Sequence, residues 1–534
     1  MQVSFQHANP HSGNESVLVR FTGGVTGQSA CVLVDSGTGV DLDALLRDDE
    51  YLTAIVLTHA HLDHYETLGE SVRDGAPIYA AEPTAAILDD VLTEATSNYD
   101  VTNVDDVLDA LTPVTDWTTV LGDVEVRPVP AGHAPGAAGF LFRFDDGGDP
   151  HTMLATGDWT RRRVAGFPGL PTTLSPEALV LTGATRDGFS AELTDAVSTI
   201  VERARAGSSV LVTASGLVGV HLAYLIASLE TAGVEVPSVS IVGHAAKLYD
   251  TLGYDHPAVT SVPRFGDPDR YVGPGTVTVA GPEVPVEGSA RRLYGQIRDD
   301  PGATLVQVTS GPASPVESAR CTVDRFQYSN HPTEETVDGL VEDLAPNQVV
   351  VTHQTGTGLS RYKDRYDSFV WATTDADEYT IYDDGRWTKP PWVNDRVARR
   401  LRSRQYGNGG QLGVLTDTGE SLPAVERAGV DLEAEGLDVS ALSDRFCRPS
   451  PTACHGPDAD ADSDESGSAA LADVEDRLGR LEARLGANDA GGAVDVRVVD
   501  AGDGDRFLWV LDGGETLAHL GHGDEVTVRL DGDG

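Results

Sequence analysis

The sequence predicts an α/β protein with several successive parts, and three observations predict it. An apolar run, Thr53-Ala54-Ile55-Val56-Leu57, is too short for a helix and ends in a polar loop, which reads as a buried strand. From about 184 to 322 strand-like and helix-like patterns alternate, which reads as a parallel α/β unit. The last forty or so residues hold short alternating runs such as Val494-Asp495-Val496-Arg497-Val498 and Glu525-Val526-Thr527-Val528-Arg529, a small β module.

The chain is organised around the loop that ends the first of these runs, Thr58-His59-Ala60-His61-Leu62-Asp63-His64. Three imidazoles and a carboxylate fall within six residues, and these are ligand types that Zn²⁺ accepts. In an extended segment His59 and His61 point the same way, because side chains alternate. A turn after Leu62 sends Asp63 and His64 toward a second position, so one loop can feed two metal ions. Satisfied histidines in a polar loop are the bland alternative, and four ligands at this spacing disfavour it. The spacing HxHxDH resembles the signature of the metallo-β-lactamase superfamily.

Before the loop, Val17-Leu18-Val19-Arg20-Phe21 alternates, and Cys31-Val32-Leu33-Val34 is a buried run ending in Asp35-Ser36-Gly37. Asp35 matches the superfamily's Asp-x-Gly, whose carboxylate orients metal ligands; an Asp capping a turn is its alternative. After the loop, residues 83–109 carry a helical pattern. Val124–Val129 is a strand followed by Ala131-Gly132-His133-Ala134-Pro135-Gly136, and His133 matches the family's third metal histidine. Met153–Ala155 leads into Thr156-Gly157-Asp158, where Asp158 resembles the bridging carboxylate. Arg161-Arg162-Arg163 follows at once, as a phosphate clamp or a solvated turn.

The superfamily fold is incomplete at residue 183, so the unit at 184–322 reads as an insertion. The elements beyond it resemble the β-CASP nucleases. Gln327-Tyr328-Ser329-Asn330-His331-Pro332-Thr333 is similar to their motif B, with Ser329 and His331. Val349–Thr352 leads into His353, as in motif C of their RNA-processing branch. One element departs: the acid of motif A is expected near Thr182 or Gly183, and neither is acidic. Asp187 is the nearest substitute, and without one His331 would be a poorer acid.

The resemblance implies an αββα metallo-β-lactamase sandwich over 1–183 and 323–390, with a β-CASP domain inserted at 184–322. It implies two Zn²⁺ ions, one on His59, His61 and His133, the other on Asp63, His64 and His353, with Asp158 bridging. A metal-activated water would attack an RNA phosphodiester, oriented by Asp63, and His331 would protonate the leaving oxygen. Catalytically weak RNA-binding or partner-binding relatives and small-ester hydrolases are the alternatives.

Residues 391–467 hold an arginine-rich stretch and an acidic linker. Arg396, Arg399, Arg400 and Arg404 would share one side of a helix, a candidate RNA-backbone contact whose alternative is pairing with the chain's own carboxylates. Over 468–487, Leu471, Val474, Leu478, Leu481 and Leu485 are spaced as a short coiled-coil seam, a candidate homodimer contact; the β module follows at 492–534. Cys447, Cys454 and His455 read as loose thiols and an imidazole rather than a metal site.

The 534 residues carry a net charge of −46, with lysine only at 247, 363 and 389. That composition resembles salt-adapted proteins of halophilic archaea. At molar salt the Debye length falls to ~3 Å, so an acidic chain does not exclude a nucleic-acid substrate. The absence of a long apolar run and of a basic-apolar leader reads as a cytoplasmic protein with no membrane span.

Overall fold

The computed structural model describes residues 1–148, 150–311, 314–407, 422–446, 495–500 and 506–512. It divides into two compact units, Met1–Pro449 and Ser450–Gly534. The first unit contains two sheets packed face to face. One has eight strands, in the order Arg386–Trp387, Tyr379–Asp383, Gln2–His7, Val17–Thr22, Ser29–Val34, Leu52–Leu57, Ile78–Ala81, Leu111–Val114. The other has seven, in the order Phe369–Trp371, Gln348–Thr352, Ala178–Thr182, His151–Ala155, Ala138–Phe144, Val124–Pro130, Thr118–Leu121.

The alternation along the strands decides which side faces inward. Val3, Phe5, Val17, Val19 and Phe21 from the first sheet meet Phe140, Phe142 and Phe144 from the second, all buried. Phe21 and Phe142 stack with ring centroids 6.0 Å apart. Leu52–Leu57 pairs in parallel on both sides, with Ser29–Val34 and Ile78–Ala81. Both its faces are covered, which explains an unbroken apolar run. Helices such as Glu82–Ala95 cover the outside, which gives the αββα sandwich that the family resemblance implies. Arg20 is buried on the hairpin because its guanidinium meets Glu50 at 2.9 Å and the Leu45 carbonyl at 2.7 Å.

The insertion builds a third, six-stranded sheet, parallel throughout, in the order Val259–Val262, Ser238–Val242, Thr276–Ala280, Ser209–Thr213, Ala303–Thr309, Thr322–Gln327. Its last strand, Thr322–Gln327, begins at the junction expected near 322 and still pairs within this sheet. The first unit also runs beyond 390: the helix Asp395–Gly407 buries Ala398 and Leu401 against Phe369, and residues 422–446 pack on the same unit.

In the second unit Asp495–Asp500 pairs antiparallel with Arg506–Asp512. The coiled-coil seam at Leu471, Val474, Leu478, Leu481 and Leu485, the acidic linker, Cys447, Cys454, His455 and the run 525–529 lie outside the described residues. Among the described residues no helix is long and apolar enough to cross a membrane.

Candidate metal centre

The candidate ligands stand just beyond strand ends. His59, His61, Asp63 and His64 follow Leu52–Leu57, Asp35 follows Ser29–Val34, and His133 follows Val124–Pro130. Asp158 follows His151–Ala155, and His353 follows Gln348–Thr352. Asp35, His133 and His353 all adopt left-handed backbone, with φ of 57°, 62° and 48°. Non-glycine residues seldom do so, and such strain collects at functional sites. Gly157 (φ 55°) is obligatory for a different reason: a Cβ there would lie 2.5 Å from the Thr58 Cβ.

The ring nitrogens converge. His59 Nε2 lies 3.0 Å from His61 Nδ1, which lies 3.0 Å from His133 Nε2. Ligand atoms around a tetrahedral Zn²⁺ with Zn–N of about 2.0–2.1 Å sit roughly 3.3 Å apart. The far side of each ring fixes its tautomer. His133 Nδ1 donates to the Asn330 carbonyl at 3.0 Å, which leaves Nε2 as the lone-pair nitrogen. The Thr58 hydroxyl donates to Asp35 at 2.8 Å and thereby accepts from His59 Nδ1 at 3.0 Å. Such outer bonds orient metal-binding imidazoles.

Asp158 occupies the middle. One carboxylate oxygen lies 3.6 Å from His64 Nε2, 3.5 Å from His133 Nε2 and 3.9 Å from His331 Nε2. The other accepts from His353 Nδ1 at 2.8 Å. His64 Nδ1 donates to Asp35 at 2.8 Å, while its Nε2 is buried without a hydrogen-bond partner among the described residues. Asp63 is half exposed, with an oxygen 4.0 Å from His64 Nε2 and 3.9 Å from His353 Nε2. Three groups have ligand atoms close enough to share an ion: His59, His61 and His133; His59, His64 and Asp158; His133, Asp158 and His331. The donor set, its fixed tautomers and the unpartnered His64 nitrogen fit metal binding, while Asp63 and His353 stand outside these three groups.

Burial pushes His59 and His133 well below the usual imidazole range, and His61 below it. Burial opposes charge on His64 as well, but Asp35, Asp158 and Asp63 outweigh it and hold that imidazole well above its usual range. At His353 burial is likewise outweighed by Asp158, which raises it to about 9. Burial would raise Asp158, yet His353, His64 and His331 hold it well below the usual carboxylate range. The buried carboxylate thus concentrates negative charge where cations would sit.

Where the β-CASP resemblance expects an acid, at Thr182 or Gly183, there is no carboxylate. The Thr182 carbonyl accepts from the Trp159 indole at 3.2 Å, and the Gly183 carbonyl accepts from the Tyr362 hydroxyl at 2.8 Å and from Gln354 at 2.9 Å. A Cβ on Gly183 would lie 2.8 Å from Gln354 Cγ and 3.0 Å from the Tyr362 hydroxyl, so a side chain there would force these neighbours to shift. Asp187 is exposed, and among the described residues no hydrogen bond or ion pair joins it to His331. His331 Nδ1 is buried without a partner, and burial holds this imidazole below its usual range despite Asp158.

The three arginines after Asp158 have protein partners. Arg161 meets Asp343 at 2.6 Å, and Arg163 donates to the Gly429 carbonyl at 3.0 Å. Arg162 grips the Asn330 side-chain oxygen at 2.8 Å and the His331 carbonyl at 2.7 Å. The expected phosphate clamp therefore meets a competing use as a brace behind motif B. Arg396, Arg399 and Arg400 are exposed on the helix Asp395–Gly407, which also contains Arg404, while Arg402 lies over Phe369.

Sequence reasoning passed over Asn330. Its carbonyl holds His133, and its side chain donates to the His133 carbonyl at 2.8 Å. The available signal was a carboxamide, able to donate and accept at once, directly before His331.

A cleft of ≈810 Å³ opens at the centre, walled by the metal loop on one side and the insertion on the other. Ser329 and His331 line it, with five carboxylates: Asp63, Glu94, Asp158, Glu283 and Glu287. Among the described residues, no lysine or arginine lines it.

Residues 31–161 match the family model described as beta-lactamase superfamily domain. Ribonuclease TTHA0252 of Thermus thermophilus is 32% identical over 135 residues, 23% of this chain. The match spans 30% of that relative's length. A crystal structure of a protein of unknown function from Enterococcus faecalis V583 has a TM-score of 0.52 at 14% identity, covering 71% of this chain and 99% of that one. That likeness is one of fold.

Proposed function

We propose that this chain is a metal-dependent hydrolase that cleaves RNA phosphodiester bonds, as the β-CASP insertion and motifs B and C suggest. The observation that carries the hydrolase reading is Asp158, shared between two ligand clusters and 3.9 Å from His331 across the cleft. The partial similarity to a ribonuclease supports RNA as the substrate. His59, His61 and His133 would hold one Zn²⁺ ion and Asp63, His64 and His353 the other, with Asp158 between them. Two such ions supply a low-pKa water nucleophile and neutralise charge on the phosphoryl oxygens. Asp63, half exposed at the cleft, orients the attacking water. His331 delivers a proton to the leaving oxygen, and Ser329 contacts the scissile phosphate. Arg396, Arg399, Arg400 and Arg404 guide the strand from outside the cleft. The −46 charge reflects adaptation to a salt-rich cytoplasm, as in halophilic archaea.

A second reading is favoured by one observation. Among the described residues, five carboxylates and no lysine or arginine line the cleft, a poor welcome for a polyanion and a better one for a small ester or thioester. One experiment separates the two. The protein in molar KCl with Zn²⁺ receives 5′-labelled single-stranded RNA with a 5′ monophosphate or triphosphate, and in parallel an aryl ester and a thioester. His59→Ala and a chelator serve as controls. RNA cleavage absent from both controls supports the ribonuclease, and product lengths separate internal cuts from stepwise loss at the 5′ end. Intact RNA with metal-dependent ester hydrolysis overturns it in favour of the small-substrate reading.

A further inference from the structure

Residues 422–446 lie outside every motif used so far. They pack against both the metal-binding part and the insertion, with Leu432, Leu437 and Leu442 buried. Their main chain bonds both: Ala428 donates to the Gly166 carbonyl at 2.8 Å, and Asp438 to the Thr194 hydroxyl of the insertion at 3.0 Å.

At the middle of this segment Glu435 is 1% exposed. Its two oxygens accept from the backbone of Ala165 at 2.8 Å and Gly166 at 2.7 Å, in the turn that follows the three arginines. One of them also accepts from His221 Nε2 at 2.8 Å, on the insertion helix Gly216–Ser228. The other nitrogen of His221 meets the Tyr328 hydroxyl at 2.6 Å. Tyr328 opens the stretch Tyr328-Ser329-Asn330-His331, so one buried carboxylate reaches motif B through two side chains.

A second arm starts at the next residue. Gly436, with φ of 98°, packs on Arg162, and a Cβ there would lie 2.9 Å from Arg162 Cδ. Arg162 in turn holds Asn330 and the His331 carbonyl, and Asn330 holds His133. Both arms converge on the segment whose catalytic imidazole lacks the motif A acid.

We propose that Glu435 and Gly436 form a remote clasp that positions His331, and through Asn330 also His133, against the metal centre. They are positioning residues: the clasp fixes the backbone of motif B and brings no charge to the His331 ring. The catalytic part of this inference rests on the acid role given above to His331. Buried networks in which every member is bonded fix one geometry, and a small misplacement of a reacting group is costly.

The test uses the full chain loaded with Zn²⁺. Tyr328→Phe removes one hydroxyl and keeps the ring that packs edge-on to Phe189 at 5.1 Å. Gly436→Ala presses on Arg162. Both should lower kcat for RNA cleavage on the order of 10–100-fold, with KM within about twofold and metal content unchanged. In a His331→Ala background Tyr328→Phe should add nothing, because its target is gone. Wild-type kcat in both variants, or an equal further loss in the His331→Ala background, would overturn the clasp. If the wild type does not cleave RNA, the functional reading falls while the clasp is still judged on the Co²⁺-substituted protein. Altered Co²⁺ absorption in both variants supports its hold on His133, and an unchanged spectrum overturns it.

Discussion

The two walls of the cleft are built by opposite means. The wall of His59, His61, Asp63 and His64 is local: four candidate ligands on one loop, behind one buried strand. The wall of Ser329, Asn330 and His331 is assembled from afar, by Arg162 from beyond the end of a central strand, His221 from the insertion and Glu435 from a segment beyond both. The first wall is where charge collects, and the second is where a proton donor must be aimed. The local loop leans on few groups outside it, chiefly Asp35, whereas the braced loop inherits the stability of everything that braces it.

The largest blow to the local wall is His59→Ala, expected to lose metal and activity together; elemental analysis beside the activity assay checks it. Asp35→Ala is next. It frees both Thr58 and the His64 ring, so metal affinity should fall about 10–100-fold, measured by competition with a chelating dye. A smaller effect probes the other wall. Gly183→Asp, which places an acid where motif A expects one, should add no rate and destabilise the fold by ~1–3 kcal/mol through overpacking. Chemical denaturation reads the cost, and a gain in turnover without loss of stability would break the contrast drawn here.

The mildest test is pH. In the metal-free protein His353 titrates near 9, so the stability its proton contributes is full below the unfolded value of about 6.5 and is lost as pH rises through about 9. An ion held by His353, as proposed, would displace that proton. Metal affinity should therefore rise with pH through neutrality, by up to about tenfold per unit for each proton displaced, with His64 contributing beside His353. Proton release measured during Zn²⁺ titration at pH 7 checks the sign.

Much of the first wall was legible because ligand chemistry and strand periodicity are both local. HxHxDH after an apolar run places imidazoles at a strand end whatever surrounds it. The second wall was legible only in part. Tyr328-Ser329-Asn330-His331 stood out as a motif, but Asn330 as the holder of His133 did not, because its partner lies 197 residues away. The arginines after Asp158 were ambiguous for the same reason. A guanidinium serves a phosphate or a carbonyl equally well, and only the fold brought the Asn330 and His331 oxygens to Arg162.

By itself the sequence determined the buried strands, the alternating α/β unit at 184–322 and the strand-end loop of candidate ligands, because periodicity and side-chain chemistry are carried by neighbours in the chain; the αββα sandwich and the acid expected near Gly183 came from the family resemblance of those residues. The tertiary structure alone decided that a side chain at Gly183 would crowd Gln354 and Tyr362, that among the described residues no lysine or arginine lines the cleft, and that Glu435 reaches motif B through His221 and Tyr328. These are facts of packing and hydrogen-bond geometry between residues far apart in sequence, and nothing local encodes which distant groups will share a buried space.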